Sequence, residues 1–292
     1  MAEFSEIQQE LLEQIAQAED VVSARALCTL FLQRTQSMPI TDTSPKNMEE
    51  LLLALLSGAE VSEEQFRALS GGAYVEYSLL VMAGTPADQE VARQELYRRG
   101  DCWCIPYAGR LVCLTGHTAA GPEGGTLEMI LNRCHLCAGG SRPFRQSSLL
   151  RLSYEQALDT LKKALVLGRT GKIALYDDYL MLHLFDCLRE TVDLDNFALP
   201  DIKRLREFDR QHSGELCSTL LCYLQHSKNV GSTAKELNIH RNTVHYRINK
   251  CIDILSDLNF EDDYMTFLLM LSLHIAEYDD YRQKRAEAQA VL

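Results

Sequence analysis

The chain has 292 residues, enough for about two domains at roughly 100–200 residues each. A hydrophobic fraction of 46%, 24% charged residues, seven Pro and sixteen Gly exclude disordered, collagen-like and linker-dominated chains. Forty-one Asp plus Glu outweigh 29 Lys plus Arg, a net charge of −12, so a DNA-binding surface has to be a local basic island rather than a uniform coat. The start, MAEFSEIQQE, has neither the basic nor the apolar region of a secretory leader. The apolar stretch MTFLLMLSLHIA is 12 residues long, too short for a bilayer. The expectation is a cytoplasmic protein without a membrane partner, its ten cysteines reduced thiols.

Ile7, Leu11, Leu12, Ile15 and Val22 recur at helical spacing. After the break PITDTSPKN, MEELLLALLSGAEVSEEQFRAL reads as a second helix, so residues 1–69 form an N-terminal helical region. AYVEYSLLVMAG, aromatic and aliphatic, predicts a buried strand. ADQEVARQELYRRG predicts a helix ending at Gly100. In DCWCIPYAGRLVCLTG two strands are joined by a hairpin through Tyr107-Ala108-Gly109-Arg110. TLEMILNRC reads as helix, HLCAGG as a short strand and SYEQALDTLKKALVLGR as a helix opened by a Ser153–Gln156 capping box. KIALYDD supplies a last strand. The order β-α-β-β-α-β-α-β over 70–178 predicts a mixed sheet with packed helices, and 179–292 reads as all-α, for an α+β chain overall.

In the all-α region a helix ends near His226, and a short helix follows with Thr233 and Glu236 at capping-box spacing. A turn at Leu237–His240, where Asn238 tolerates the left-handed conformation, leads to a longer helix. Ala234 is small enough for a close helix crossing, which fits a tri-helical helix-turn-helix. On the third helix Val244, Ile248, Cys251, Ile252 and Leu255 form one apolar stripe. The opposite face carries Asn242, Thr243, Tyr246, Asn249 and Lys250, flanked by Arg241, His245 and Arg247, side chains suited to phosphates and major-groove base edges. Ser232, Thr233, Lys235 and His240 complete the candidate DNA-binding surface. Between His226 and Lys250 five basic residues (Lys228, Lys235, Arg241, Arg247, Lys250) meet one acid, Glu236. This net +4 window is the expected basic island.

The run NVGSTAKELNIHRNTVHYRINKCIDI resembles the C-terminal helix-turn-helix of PucR/CdaR-type bacterial transcriptional regulators. The resemblance falls on Asn229, Val230, Thr233, Ala234, Leu237, His240, Arg241, Asn242, Thr243, Tyr246 and Arg247, with aliphatic Val244 and Ile248 where the family also has aliphatics. Upstream, CAGGSRPFRQSSLLRLSYEQALDTLKKALVLGRTGKIALYDDY is similar to the end of that family's GGDEF-like domain. The resemblance implies a degenerate GGDEF-like domain at 70–178 and a DNA-binding core at 215–276. It also implies an operator as partner, a homodimer or higher homo-oligomer, and control by a metabolic or nutritional signal through a small-molecule effector.

Two other functions compete with this reading. A nucleotide cyclase needs carboxylates at the hairpin tip to hold metal and triphosphate, and CIPYAGRLVCL offers Gly109 and Arg110 but no acid pair. A zinc or thiol-redox regulator could use Cys102, Cys104, Cys134 and Cys137. Alternate small residues in a buried sheet explain the first pair as well, and Cys134 and Cys137 would open a strand. Asp177-Asp178 and Asp279-Asp280 read as solvated caps. No catalytic motif or metal-ligand spacing stands out, so neither an enzymatic activity nor a cofactor is expected.

Overall fold

Leu79, Leu80, Val81 and Met82 are buried in succession, so β1 (Glu76–Ala83) is covered on both faces and lies inside the sheet. The computed structural model describes residues 47–70, 74–99, 101–118, 124–168, 173–212 and 214–290. The helix expected around Ile7, Leu11, Leu12, Ile15 and Val22 lies outside the described residues. By backbone contacts Lys46–Leu292 is one unit.

The predicted single helix after the prolines is two. α1 (Met48–Leu56) is capped by Asn47, and α2 (Glu63–Leu69) starts at a Ser62–Gln65 capping box. Gly58, at φ 90°, takes the left-handed turn between them that a side chain would oppose. Neither helix stands apart from the sheet. Met48, Leu51, Leu52, Leu56 and Phe66 share a core with Leu79, Val81, Val112 and Leu114.

The remaining elements follow the expected order: α3 (Pro86–Tyr97), β2 (Cys102–Tyr107), β3 (Arg110–His117), α4 (Gly124–Arg133), β4 (Cys137–Gly140), α5 (Leu150–Val166) and β5 (Ile173–Leu175). Spatially the strands run β2-β3-β1-β4-β5, antiparallel except for the β4–β5 pair. The hairpin turns where expected, with Tyr107 opposite Arg110 and both Ala108 (φ 49°) and Gly109 (φ 72°) at positive φ. That is the turn whose twist matches the flanking strands. α1, α2 and α5 cover one face of the sheet, whereas α3 and α4 cover the other through Ala92, Leu96, Leu127 and Leu131.

Three local expectations are corrected. α5 begins at Leu150 with no side-chain cap, and Ser153 is buried inside it, because a short 3-10 turn, Ser147–Leu149, already leads the chain into the helix. KIALYDD gives only three strand residues before Tyr176–Tyr179 coils into a 3-10 turn. Cys134 lies at the end of α4 rather than in a strand.

Gly139 shows how tightly α5 sits on β4. A Cβ there would lie 2.2 Å from the Ala157 carbonyl oxygen and 2.4 Å from the Leu161 nitrogen, both backbone atoms. Gly139→Ala therefore has to lift the helix, at a cost of about 1–3 kcal/mol or more in urea unfolding. An unchanged midpoint would rule out this contact as a constraint on the fold.

Beyond the sheet come α6 (Leu180–Leu188), α7 (Ile202–His212), α8 (Leu216–Gln225), α9 (Val230–Glu236), α10 (Arg241–Ile254) and α11 (Asp263–Ala290). The doublet Asp279-Asp280 is not a solvated cap: both carboxylates hold Arg206 of α7, at 2.9 and 2.7 Å. Asp177 and Asp178 are exposed in the first turn of the 3-10 helix Tyr176–Tyr179, as expected of solvated acids at a helix start, and Asp177 also pairs with Arg142 at 2.5 Å. No helix among the described residues is long and apolar enough to cross a membrane.

Candidate nucleic-acid interface

α8, α9 and α10 form a tri-helical unit whose geometry is set by caps and by backbone turns. Asp209 of α7 accepts hydrogen bonds from the Leu216 and Cys217 amides, 2.7 and 2.9 Å away, and so closes the start of α8. Ser227 and Lys228, both at positive φ, reverse the chain, and Lys228 Nζ donates to the Phe260 carbonyl at 2.5 Å. Asn229 then caps α9, accepting from the Ser232 amide at 2.9 Å. The predicted Thr233–Glu236 box is not the cap, since Thr233 already lies inside the helix and donates its hydroxyl to the Asn229 carbonyl. The turn into α10 has Asn238 at φ 52°, as its tolerance of that region suggested. The Ile239 amide donates to Ala234, and His240 caps α10 by accepting from the Asn242 amide.

Val244, Ile248, Cys251 and Leu255 pack into one core with Leu216, Leu220 and Leu224 of α8 and Leu269, Leu273 and Ala276 of α11. Ile252, expected in this stripe, is 43% exposed because one further step around the helix carries it off the buried face.

Of the sequence-expected DNA surface, Ser232, Lys235, His240, Arg241, Asn242, His245, Tyr246 and Asn249 are exposed and lie on two adjoining helices, with Thr243 half-buried. Tyr246 is 67% exposed. The Arg241 guanidinium reaches across to the start of α9, close enough that a Cβ on Gly231 would lie 3.3 Å from its Nη2. Three residues depart from the expected surface. Thr233 is fully buried at the α9 crossing and cannot reach a ligand. Arg247 Nη1 lies 2.8 Å from Glu215 Oε2 and 3.1 Å from Thr219 Oγ1, so its charge is committed to the start of α8. Lys250 is half-buried with its ammonium over the Phe208 ring, 5.4 Å from the centroid. Helical spacing did not reveal Glu215 and Phe208 as partners, since both come from other helices.

The cysteines do not assemble into the four-thiolate set. Cys102, Cys104 and Cys134 pack with Cys113 in the core under α3 and α4, whereas Cys137 belongs to the core on the opposite face of the sheet. Burial raises the Cys113, Cys134 and Cys137 thiols above the ordinary range. That disfavours the thiolate a metal or an oxidant would need. No group of three or more His, Cys, Asp or Glu among the described residues is arranged to hold a metal ion.

Residues 216–275 match the PucR C-terminal helix-turn-helix domain. The DNA-binding transcriptional activator AdeR of Bacillus subtilis (strain 168) is 24% identical over 137 residues, covering 47% of this chain and 32% of that protein. The carbohydrate diacid regulator of Escherichia coli (strain K12) is 30% identical over 126 residues, 41% of this chain and 32% of that protein. The purine catabolism regulatory protein of Bacillus subtilis (strain 168) is 31% identical over 123 residues, 42% of this chain and 23% of that protein. The chain thus aligns with about a third or less of the length of these relatives.

Proposed function

Because residues 216–275 form a PucR-type helix-turn-helix domain, we propose that this chain is a transcriptional regulator that reads operator DNA with α10. The observation that carries the reading is the exposed row Asn242, His245, Tyr246 and Asn249, opposite a stripe buried against α8 and α11. The amides can address base edges, while Ser232, Lys235 and Arg241 on the adjoining surface suit phosphates. The test is to capture genomic fragments with the purified chain, sequence them, and compare gel-shift affinity for the enriched site with a scrambled one. Equal affinity for both would refute the reading.

Residues 70–178 serve as a degenerate GGDEF-like scaffold, and the protein is not an enzyme. The β2–β3 tip supports this, since Ala108, Gly109 and Arg110 provide no carboxylate for a metal–triphosphate complex. Incubation with GTP and magnesium is expected to give no cyclic dinucleotide above a protein-free control. Turnover in that assay would reverse the assignment.

The regulator acts as a dimer on two half-sites. One tri-helical unit makes few base contacts, whereas specific regulators typically reach about 10⁻⁸ M or tighter. A two-fold pair places half-sites about one helical turn, or a multiple, apart. A five-base-pair change in spacing is then expected to cut operator occupancy steeply. A monomer in light scattering that binds a lone half-site at full affinity would exclude this arrangement. Relatives named as a carbohydrate diacid regulator and a purine catabolism regulatory protein support control by a metabolite.

A further inference from the structure

α11 belongs to two cores. Leu269, Leu273 and Ala276 lie in the helix-turn-helix core, while Tyr278 and Tyr281 pack with Phe185 of α6 in a separate cluster. Between the second half of α11 and the segment following α6 lies a cavity of about 350 Å³, within the size range of small-molecule sites. Its polar lining includes Arg189, Asp193, Asp195, Asp279 and Arg282.

The charges in this lining are not balanced locally. Asp279 is held by Arg206, at 2.9 Å, and Asp195 faces Lys203, at 3.8 Å. Asp193 accepts a hydrogen bond from the Asp195 amide. By contrast, neither Arg189 nor Arg282 has a carboxylate within ion-pair distance among the described residues. Asp279 alone of the lining acids is in a close ion pair, whereas the two guanidinium groups, without carboxylate partners among the described residues, suit a planar anion that accepts paired N–H bonds.

We propose that this cavity binds a small carboxylate-bearing metabolite, held by Arg189 and Arg282, and that the helix-turn-helix senses its occupancy through α11. The route is contiguous. The Tyr278 hydroxyl donates to Asp186 at 2.9 Å, and Asp186 holds Lys163 of α5 at 2.6 Å, so α11, α6 and α5 meet at one joint. A carboxylate held by both Arg189 and Arg282 bridges the segment after α6 to α11, the helix shared with the DNA reader. The sensing part rests on the proposed regulatory function; the binding part does not.

Calorimetric titration of the full chain with acetate, succinate and 2-oxoglutarate tests binding, with putrescine and inorganic phosphate as comparisons. At least one carboxylate is expected to saturate below about 10 mM, and putrescine is not. Arg189→Gln and Arg282→Gln, both at exposed positions, are each expected to weaken binding about tenfold or more, while Arg93→Gln on α3 leaves it unchanged. In gel shifts the binding carboxylate is expected to change operator affinity of the wild type and not of Arg282→Gln. The site is overturned if no carboxylate saturates, if phosphate alone does, or if binding survives both substitutions. Carboxylate binding without any operator binding would leave the site standing and remove the regulatory function. Operator binding that ignores a bound carboxylate would overturn the sensing part alone.

Discussion

Replacing Asn242, His245 and Asn249 together by Ala is expected to abolish discrimination between operator and scrambled DNA while the fold stays intact. All three are exposed on α10 and none contributes to the core beneath it, so folding does not depend on them. An amide paired with a base edge provides about 1–3 kcal/mol of discrimination. Losing several such contacts removes most of the roughly 4–10 kcal/mol that separates specific from non-specific binding. Lys235→Ala is expected to behave differently, weakening all sequences alike and lowering the salt slope by about one, as a lost phosphate contact does. Arg247→Ala is expected to affect stability more than base discrimination, because its guanidinium is tied to Glu215 and Thr219. If the triple variant still prefers the operator in gel shifts, α10 is not the reader.

Lys163→Met is expected to lower unfolding stability by about 3–5 kcal/mol, the cost of leaving a buried charge pair without one partner. Its side chain is 1% exposed, with Nζ 2.7 Å from Asp159 and 2.6 Å from Asp186. Methionine keeps the length and removes the charge, so the two carboxylates are left without their shared cation. The value should fall toward the lower end, because the Asp159 side chain is 45% exposed and can regain water. Adding Asp186→Asn should recover part of the loss, which a double-mutant cycle in urea measures. A wild-type midpoint in the single variant would show that the joint contributes nothing.

The same joint gives a pH signature. Burial would raise the Asp159 carboxyl, but hydrogen bonds from His183 and Lys163 outweigh it and hold the group at about 2. An unfolded aspartate titrates at about 3.9, so the stabilisation is fully present above that pH and is lost as pH falls through the folded value. The urea midpoint of the wild type is therefore expected to decline between about pH 4 and 2, and less steeply in Lys163→Met. Identical slopes in the two proteins would exclude Asp159 as the source.

Much of this molecule follows from local chemistry. Alternating and continuous apolar runs specified the order of strands and helices, and the Tyr107–Arg110 hairpin was readable because Ala-Gly between two apolar runs allows a tight turn. Asn238 at its left-handed turn and the Val244–Ile248–Cys251–Leu255 stripe followed from conformational tolerance and the 3.6-residue period. The local rules failed where more than one residue could cap a helix. Thr233 and Ser153 have capping-box spacing, yet the cap at Asn229 and the 3-10 turn before Leu150 set the actual starts.

Other outcomes needed residues far apart in the chain. Arg247 looks like a phosphate contact on its own helix, but Glu215 neutralises it from 32 positions upstream. Cys137 follows Cys134 closely in sequence but faces the other side of the sheet, which dissolves the apparent thiolate set. Lys163 reads as an ordinary surface lysine of an amphipathic helix until α6 and α11 close over it. Sequence by itself determined the elements, their order and the basic helix-turn-helix, because periodicity, turn propensity and charge act over a few residues. Tertiary packing decided which polar side chains stay free to bind and which are spent on the fold, because burial and ion pairing depend on neighbours that only the folded chain brings within reach.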